Sequence, residues 1–297
     1  MGRRLDLKTG FRCNNNCRFC VQAHKKKYGN RNTEELLNEL KEGRKTCDQV
    51  VLTGGEVTLR DDLFQLINYA KKLNYRIIQL QSNCRMLYYK DYCKRLIIAG
   101  VNEFSPALHG HTAELHDYLT RSKGSFRQST QAIKNLSELG QRIITNSVVV
   151  KPNYKYLPDL AKLLVELGVF QYQMAFMHAV GNAWENFDEM MPRVSKAAPY
   201  IHKALQIGID NNVKCMAEAM PFCVMQGYEE YCSEHFIPAS EIRDLDAYDS
   251  DFEKTRKTQG KIKFEKCREC KWDKICEGPW REYPEKLGDE EFQPVKD

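Results

Sequence analysis

Hydrophobic and polar positions follow one repeating order over the first two thirds of this chain. A short β-branched or leucine-rich run is followed by a turn and then by apolar residues at helical spacing. Leu5 to Thr9 reads as a strand, and Thr33 to Lys45 as a helix with Leu36, Leu37 and Leu40 on one face and Asn32 or Thr33 as its cap. The order then repeats: strand Gln49 to Thr53, helix Asp61 to Leu73, strand Arg76 to Leu80, helix Tyr88 to Ile98, strand Glu103 to Leu108. Ser125 to Leu139 is a helix closed by Gly140, and Ile143 to Val150 is the strand richest in β-branched residues. Helix Leu157 to Leu167, strand Phe170 to Met177 and helix Ser195 to Ile207 complete the series. From about Glu218 the rhythm stops, and Pro221, Gly227, Pro238, a charged stretch from Asp244 to Lys261 and five cysteines take its place. The expected organisation is an α/β domain over 1–217 and a small loop-rich unit over 218–297.

About six βα units with short connections predict a parallel sheet, most naturally a partial (β/α)6 TIM-like barrel. Chemistry in such folds sits in loops at the C-terminal ends of the strands. Cys13 to Cys20 follows the first strand, Gly54-Gly55-Glu56 the second and Gln81-Ser82-Asn83 the third. All three are expected to open onto one mouth.

Composition narrows the class. An apolar content of 42% supports a core, and no run of 18 apolar residues exists to span a membrane. Met1 to Asp6 has positive charge without an apolar run behind it, so it is no secretory signal. Asp6 also occupies the position where a myristoylation signal needs Ser or Thr. A cytoplasmic protein is expected. Twelve cysteines without an export signal favour metal ligation over disulfides. The formal charge of +5 carries no nucleic-acid inference, because two clusters with thiolate ligands would subtract roughly 3 charges. The basic run His24-Lys25-Lys26-Lys27 reads as a solvated loop.

Three thiols stand at CxxxCxxC spacing in Cys13, Cys17 and Cys20. Three thiolates can hold three irons of a [4Fe–4S] cube and leave the fourth iron open for a ligand. A zinc site with His24 as fourth donor, or a closed cluster, is the alternative, but it leaves Gly54-Gly55-Glu56 without a purpose. Glycines there let backbone approach a ligand, and Glu56 supplies a negative partner for an ammonium group. With Phe19 before the last cysteine, Thr53-Gly54-Gly55-Glu56, and Gln81-Ser82-Asn83, the first 217 residues resemble the radical S-adenosylmethionine (SAM) enzymes. That resemblance implies reductive cleavage of SAM to a 5′-deoxyadenosyl radical that abstracts a substrate hydrogen. It assigns SAM contacts to Phe19, Thr53, Gly54, Gly55, Glu56, Ser82 and Asn146, with ferredoxin or flavodoxin as electron donor. The chain departs from relatives that carry Ser-Leu-Asp after the fourth strand, having Ala107-Leu108-His109, and Cys84 stands where relatives often carry Gly. His109, His111 and His116 read either as pocket lining or as surface-loop residues.

Cys267-x2-Cys270-x5-Cys276 followed by Gly278, with Cys223 upstream, resembles the twitch and SPASM auxiliary-cluster domains of the same superfamily. The implied ligands of one auxiliary [4Fe–4S] cluster are Cys223, Cys267, Cys270 and Cys276, with Cys232 as an alternative and a zinc ribbon as the structural rival. Four thiolates would saturate that cluster and suit net oxidation of a peptide, a protein or a small biosynthetic intermediate. Only 12 residues precede Cys13, so no leader-binding domain is expected there, which lowers the peptide option modestly unless a separate recognition protein restores it. The competing class is a non-catalytic iron–sulfur or zinc protein serving as electron carrier or redox sensor.

Overall fold

The computed structural model describes residues 2–245 and 247–296. Strands β1 (Arg4–Lys8), β2 (Gln49–Thr53), β3 (Ile77–Ser82) and β4 (Glu103–Pro106) pair in parallel, each with the next. Strands β5 (Ile144–Val149), β6 (Gln171–Phe176) and β7 (Lys214–Glu218) form a second parallel sheet. Single bridges Phe104↔Ile143 and Ala107↔Asn146 join the two sheets into one curved wall. The outer layer carries α1 (Thr33–Gly43), α2 (Leu63–Lys72), α3 (Lys90–Ala99), α4 (Ala113–Thr120), α5 (Ser125–Glu138) and α6 (Leu157–Glu166). Two single-turn helices, α7 (Asn182–Glu185) and α8 (Phe187–Met190), precede the long α9 (Val194–Asp210). This is the α/β partial barrel that the alternation predicts.

Local chemistry explains the elements. Asn32 rather than Thr33 caps α1, its side chain accepting from Glu34 N and Glu35 N, while Leu36 and Leu40 are buried against the sheet. Every residue of β2 is buried, as a central parallel strand covered on both faces requires. Helix α4, absent from the periodicity reading, starts at Thr112, whose hydroxyl accepts from Leu115 N. Strand β7 also escapes that reading, because only two of its five residues are buried.

The segment after β7 adds to the wall. Cys232 bridges Ala217, and β8 (Ser240–Arg243) then pairs in parallel with β1, from Arg4↔Ser240 to Leu7↔Arg243. A short β9 (Tyr248–Asp249) pairs antiparallel with β8. The side of the barrel between β7 and β8 is therefore spanned by chain that includes Phe236, Ile237 and Pro238, which line the interior.

That interior is unusual for a barrel. Branched apolar side chains normally fill it in layers. Here Asp6, Gln79, Gln81, Ser105, Asn146 and Gln173 line an open cavity of about 450 Å³. The C-terminal segment, with α10 (Phe252–Thr255) and α11 (Glu282–Leu287), folds back on the barrel. Tyr283 donates nothing to α9 but accepts from Val194 N at 2.9 Å, and Ser195 N donates to Glu291 at 3.0 Å. Phe292 is 2% exposed, stacked on Phe264 and edge-on to Tyr283. Phe292→Ala is expected to cost roughly 3–5 kcal/mol, read as a lower midpoint in urea denaturation.

Candidate functional site

The first cysteine group is held by backbone. Beyond β1, Gly55 N donates to Gly10 O at 2.8 Å and Glu56 N to Arg12 O at 2.7 Å. A Cβ on Gly54 would lie 2.1 Å from Gly10 O, and one on Gly55 would lie 2.3 Å from Arg12 O. Gly54 also has φ of +136°, in the region that favours glycine. The close approach that the two glycines permit is thus made here by the chain entering Cys13. Thr53 accepts from Thr9 N at 2.8 Å and completes the same junction.

Cys13, Cys17 and Cys20 are half-buried and unpaired. Burial pushes the thiols of Cys13 and Cys20 up, and that of Cys17 up to about 12, where the adjacent charges of Cys20 and Cys13 add to the effect. Cys17 lies near enough to Cys13 and Cys20 to be raised by both, and Cys13 near enough to Cys20. Their ionisation is unfavourable until a cation shares the site. A single zinc needs four donors at about 2.0–2.3 Å, and this loop carries three thiols. His24 is exposed on the short helix Ala23–Tyr28.

Glu56 is the hub between the strand ends. It is 2% exposed, and its Oε1 accepts from Thr58 N at 3.0 Å, Thr58 Oγ1 at 2.5 Å and Ser82 Oγ at 2.6 Å. Its Oε2 accepts from Asn83 N at 2.7 Å. Asn83 Nδ2 in turn donates to Asn14 Oδ1 at 2.7 Å and lies 3.9 Å from Cys13 Sγ. Arg85 braces the same loop, donating to Asn14 O at 2.7 Å and Asn15 Oδ1 at 3.0 Å. Asn83 and Arg85 were not singled out in the sequence, although Asn83 completes the Gln81-Ser82-Asn83 run. Thr53 to Glu56, Ser82 and the cysteine loop therefore form one assembly. Asn146 stands apart on β5, lining the interior cavity, and its buried Oδ1 has no protein partner.

Phe19 packs edge-on against His109, ring centroids 4.7 Å apart. His109 is neither a surface residue nor a free pocket group. Its Nδ1 accepts from Val148 N at 3.2 Å, and its own N donates to His116 Nδ1 at 3.1 Å. The two rings stack at 5.8 Å. Burial holds His109 down to about 3 and His116 to about 4. His111 stacks on Tyr156 instead. Cys84 is fully buried at φ of +60°, the left-handed backbone that explains a glycine there in relatives.

The second cysteine group lies where the C-terminal segment meets the barrel mouth. Cys223, Cys267, Cys270 and Cys276 line one cavity of about 30 Å³, walled by Pro221, Phe264 and Phe292. Burial pushes the Cys223 thiol up to about 12, with Cys276, Cys267 and Cys270 adding to it. Cys232 is fully buried with its thiol 3.9 Å from Met220 O, and it is not part of that lining. Gly278 has φ of +80°, and a Cβ there would lie 1.9 Å from Ile262 O. Trp280 stacks on His178 at 4.0 Å and carries Lys261 4.1 Å above its ring. On β6, Tyr172 is buried in the core, Gln173 lines the interior cavity, and Phe176 packs near Tyr283.

Residues 7–164, more than half of the chain, match the radical SAM superfamily. The chain belongs to that superfamily. Its members are enzymes that use a [4Fe–4S] cluster and SAM. The AdoMet-dependent heme synthase of Oleidesulfovibrio alaskensis is 31% identical over 176 residues, 58% of this chain and 44% of that protein. A probable GTP 3′,8-cyclase of Saccharolobus islandicus is 28% identical over 172 residues, 57% of this chain and 55% of that protein. The chain thus spans about half the length of these relatives. In fold it is similar to Streptococcus suis SuiB bound to S-adenosylmethionine, with TM-score 0.69 and 15% identity over 98% of this chain and 76% of SuiB. It is also similar to anSMEcpe with bound AdoMet and a Cp18Cys peptide, with TM-score 0.67 and 16% identity over 94% of this chain and 89% of anSMEcpe. No helix among the described residues is long and apolar enough to cross a membrane.

Two outcomes follow from this geometry. Gly55→Ala forces its methyl into Arg12 O and is expected to cost roughly 1–3 kcal/mol, with reduced iron uptake measured on the reconstituted protein. The unfolded histidines take up protons near 6.5, while buried His109 and His116 stay neutral to about 3 and 4. Stability is therefore complete above pH 6.5 and falls as the pH drops toward 4. Urea denaturation across that range should show the loss, and His109→Gln should flatten it.

Proposed function

We propose that Cys13, Cys17 and Cys20 hold the SAM-binding [4Fe–4S] cluster of this radical SAM enzyme. Cys223, Cys267, Cys270 and Cys276 hold one auxiliary cluster in a unit that begins near residue 218. The first cluster, when bound, supplies the electron that cleaves SAM to a 5′-deoxyadenosyl radical, which takes a hydrogen atom from the substrate. Glu56, fixed by Ser82, Thr58 and Asn83, places a carboxylate beside Cys13 for the ammonium group of SAM. Thr53, Gly54 and Gly55 shape the adjoining backbone, Phe19 walls the adenine, and Asn146 offers its unpartnered Oδ1 across the cavity. The observation that carries this reading is the joining of the cysteine loop to Glu56 and Asn83 above a polar interior.

The reaction we propose is oxidative modification of a peptide or protein side chain. Gln81 and Asn146 line the cavity with amides, which pair naturally with peptide groups. The relatives named for heme and GTP would call for a broad apolar slot or a cationic phosphate grip at the mouth. In this chain the cationic lining residues Arg4, Arg142 and Lys214 stand at the opposite, N-terminal ends of the strands. SuiB bound to its precursor peptide SuiA has the same fold. Four thiolates around the auxiliary site suit it to accept an electron rather than to hold substrate. A low-potential carrier such as ferredoxin or flavodoxin is the proposed donor.

Anaerobically reconstituted protein with dithionite and SAM is expected to release 5′-deoxyadenosine, and Cys17→Ala to abolish it. A fully loaded protein that forms none refutes the enzyme reading in favour of an electron carrier or sensor. About eight irons per chain are expected for two [4Fe–4S] clusters; about four irons with bound zinc would leave the second site structural. Cys276→Ala should lose the auxiliary cluster while Cys232→Ala keeps it, measured by iron content and electron paramagnetic resonance (EPR). Deuterium passing from a labelled candidate peptide into 5′-deoxyadenosine would identify the substrate class.

A further inference from the structure

The basic run after Cys20 is not a free solvated loop. It forms the short helix Ala23–Tyr28, in which Lys25 pairs with Asp244 and Lys27 points outward over the exposed Tyr28 ring. Lys26 turns the other way. Its Nζ donates to Asn15 O at 2.8 Å and to Asn16 Oδ1 at 3.2 Å, both inside the loop between Cys13 and Cys17. Among the groups acting on Cys13, Cys17 and Cys20, the Lys26 charge is common to all three. Opposing it at Cys13 is the buried carboxylate of Glu56.

We propose that Lys26 is an electrostatic positioning residue that makes one-electron reduction at the Cys13–Cys20 site easier. Reduction adds one negative charge there. A fixed cation tied to the loop by two hydrogen bonds stabilises that charge, and its half-buried setting limits screening. Net charge near the cluster is one of the factors that sets iron–sulfur potentials. Lys27, one residue on and exposed, carries the same formal charge but is open to solvent, which provides an internal comparison.

This inference rests on the cluster assignment proposed above. The test is a dye-mediated potentiometric titration of the reconstituted full chain, followed by EPR, with the first cluster identified as the signal that SAM perturbs. Lys26→Met, at wild-type iron content, is expected to move that midpoint to a more negative potential. Lys26→Arg should restore it, and Lys27→Met should leave it unmoved. Equal shifts in Lys26→Met and Lys27→Met would reduce the effect to overall charge and overturn the proposal. An unchanged midpoint in Lys26→Met would overturn it directly. Should Lys26→Met lose iron, Lys26→Gln keeps a donor without the charge and takes its place, with the same two outcomes. Absence of any SAM-perturbed signal in the unmodified protein would refute the cluster assignment instead.

Discussion

Everything at the barrel mouth depends on the approach of two backbones. Gly54 to Glu56 lies so close to Gly10 to Arg12 that a single methyl group on either glycine would overlap a carbonyl oxygen. The two hydrogen bonds across this contact extend the β1–β2 pairing beyond the ends of the strands. They deliver Cys13 beside the Glu56 carboxylate and set the start of the loop that carries Cys17 and Cys20. Glu56 then ties the end of β3 to the same point through Ser82 and Asn83. A buried carboxylate without such partners would be costly; with four hydrogen bonds it becomes a rigid reference for the surrounding groups.

Charge is arranged around this reference with some economy. Lys26 and Arg85 grip Asn14, Asn15 and Asn16 from two sides, so cations surround a loop whose thiols resist ionisation on their own. Below the loop, the interior stays polar and open where most barrels pack leucine and valine. Gln173 holds Glu218 and Gln79 holds Glu103, which keeps buried carboxylates partnered while leaving other amides free to meet a ligand.

The C-terminal segment is fastened to the mouth by aromatic and ionic contacts rather than by sheet. Trp280 joins it to the barrel by stacking on His178, with Lys261 over its ring, and within the segment itself Arg256 pairs with Glu277 through two hydrogen bonds at 2.8 and 2.7 Å. Both partners of that pair are almost fully buried, so removing one would strand the other charge. The four-cysteine cavity thus lies at the same end of the barrel as the first cysteine loop.

By itself the sequence determined the βα order, the three loops of the mouth and the two cysteine groups, because each rests on local spacing. Period-two strands, a Gly-Gly-Glu turn and CxxxCxxC or CxxC runs are short-range signals, and they survive into the structure with boundaries shifted by a few residues. Only the tertiary structure decided what depends on partners distant along the chain. Ser240–Arg243 carries two charges in four residues and becomes a strand only beside β1. His109 reads as a loop histidine until Val148 and His116 enclose it. Lys26 looks like one of three equivalent lysines until the fold of Asn14 to Asn16 gives it two acceptors. Cys232 and Cys223 stand nine residues apart, and only the fold separates a buried thiol from one that lines a cavity with Phe264 and Phe292. Burial and electrostatics are sums over such neighbours, and periodicity contains no information about which neighbours the fold will supply.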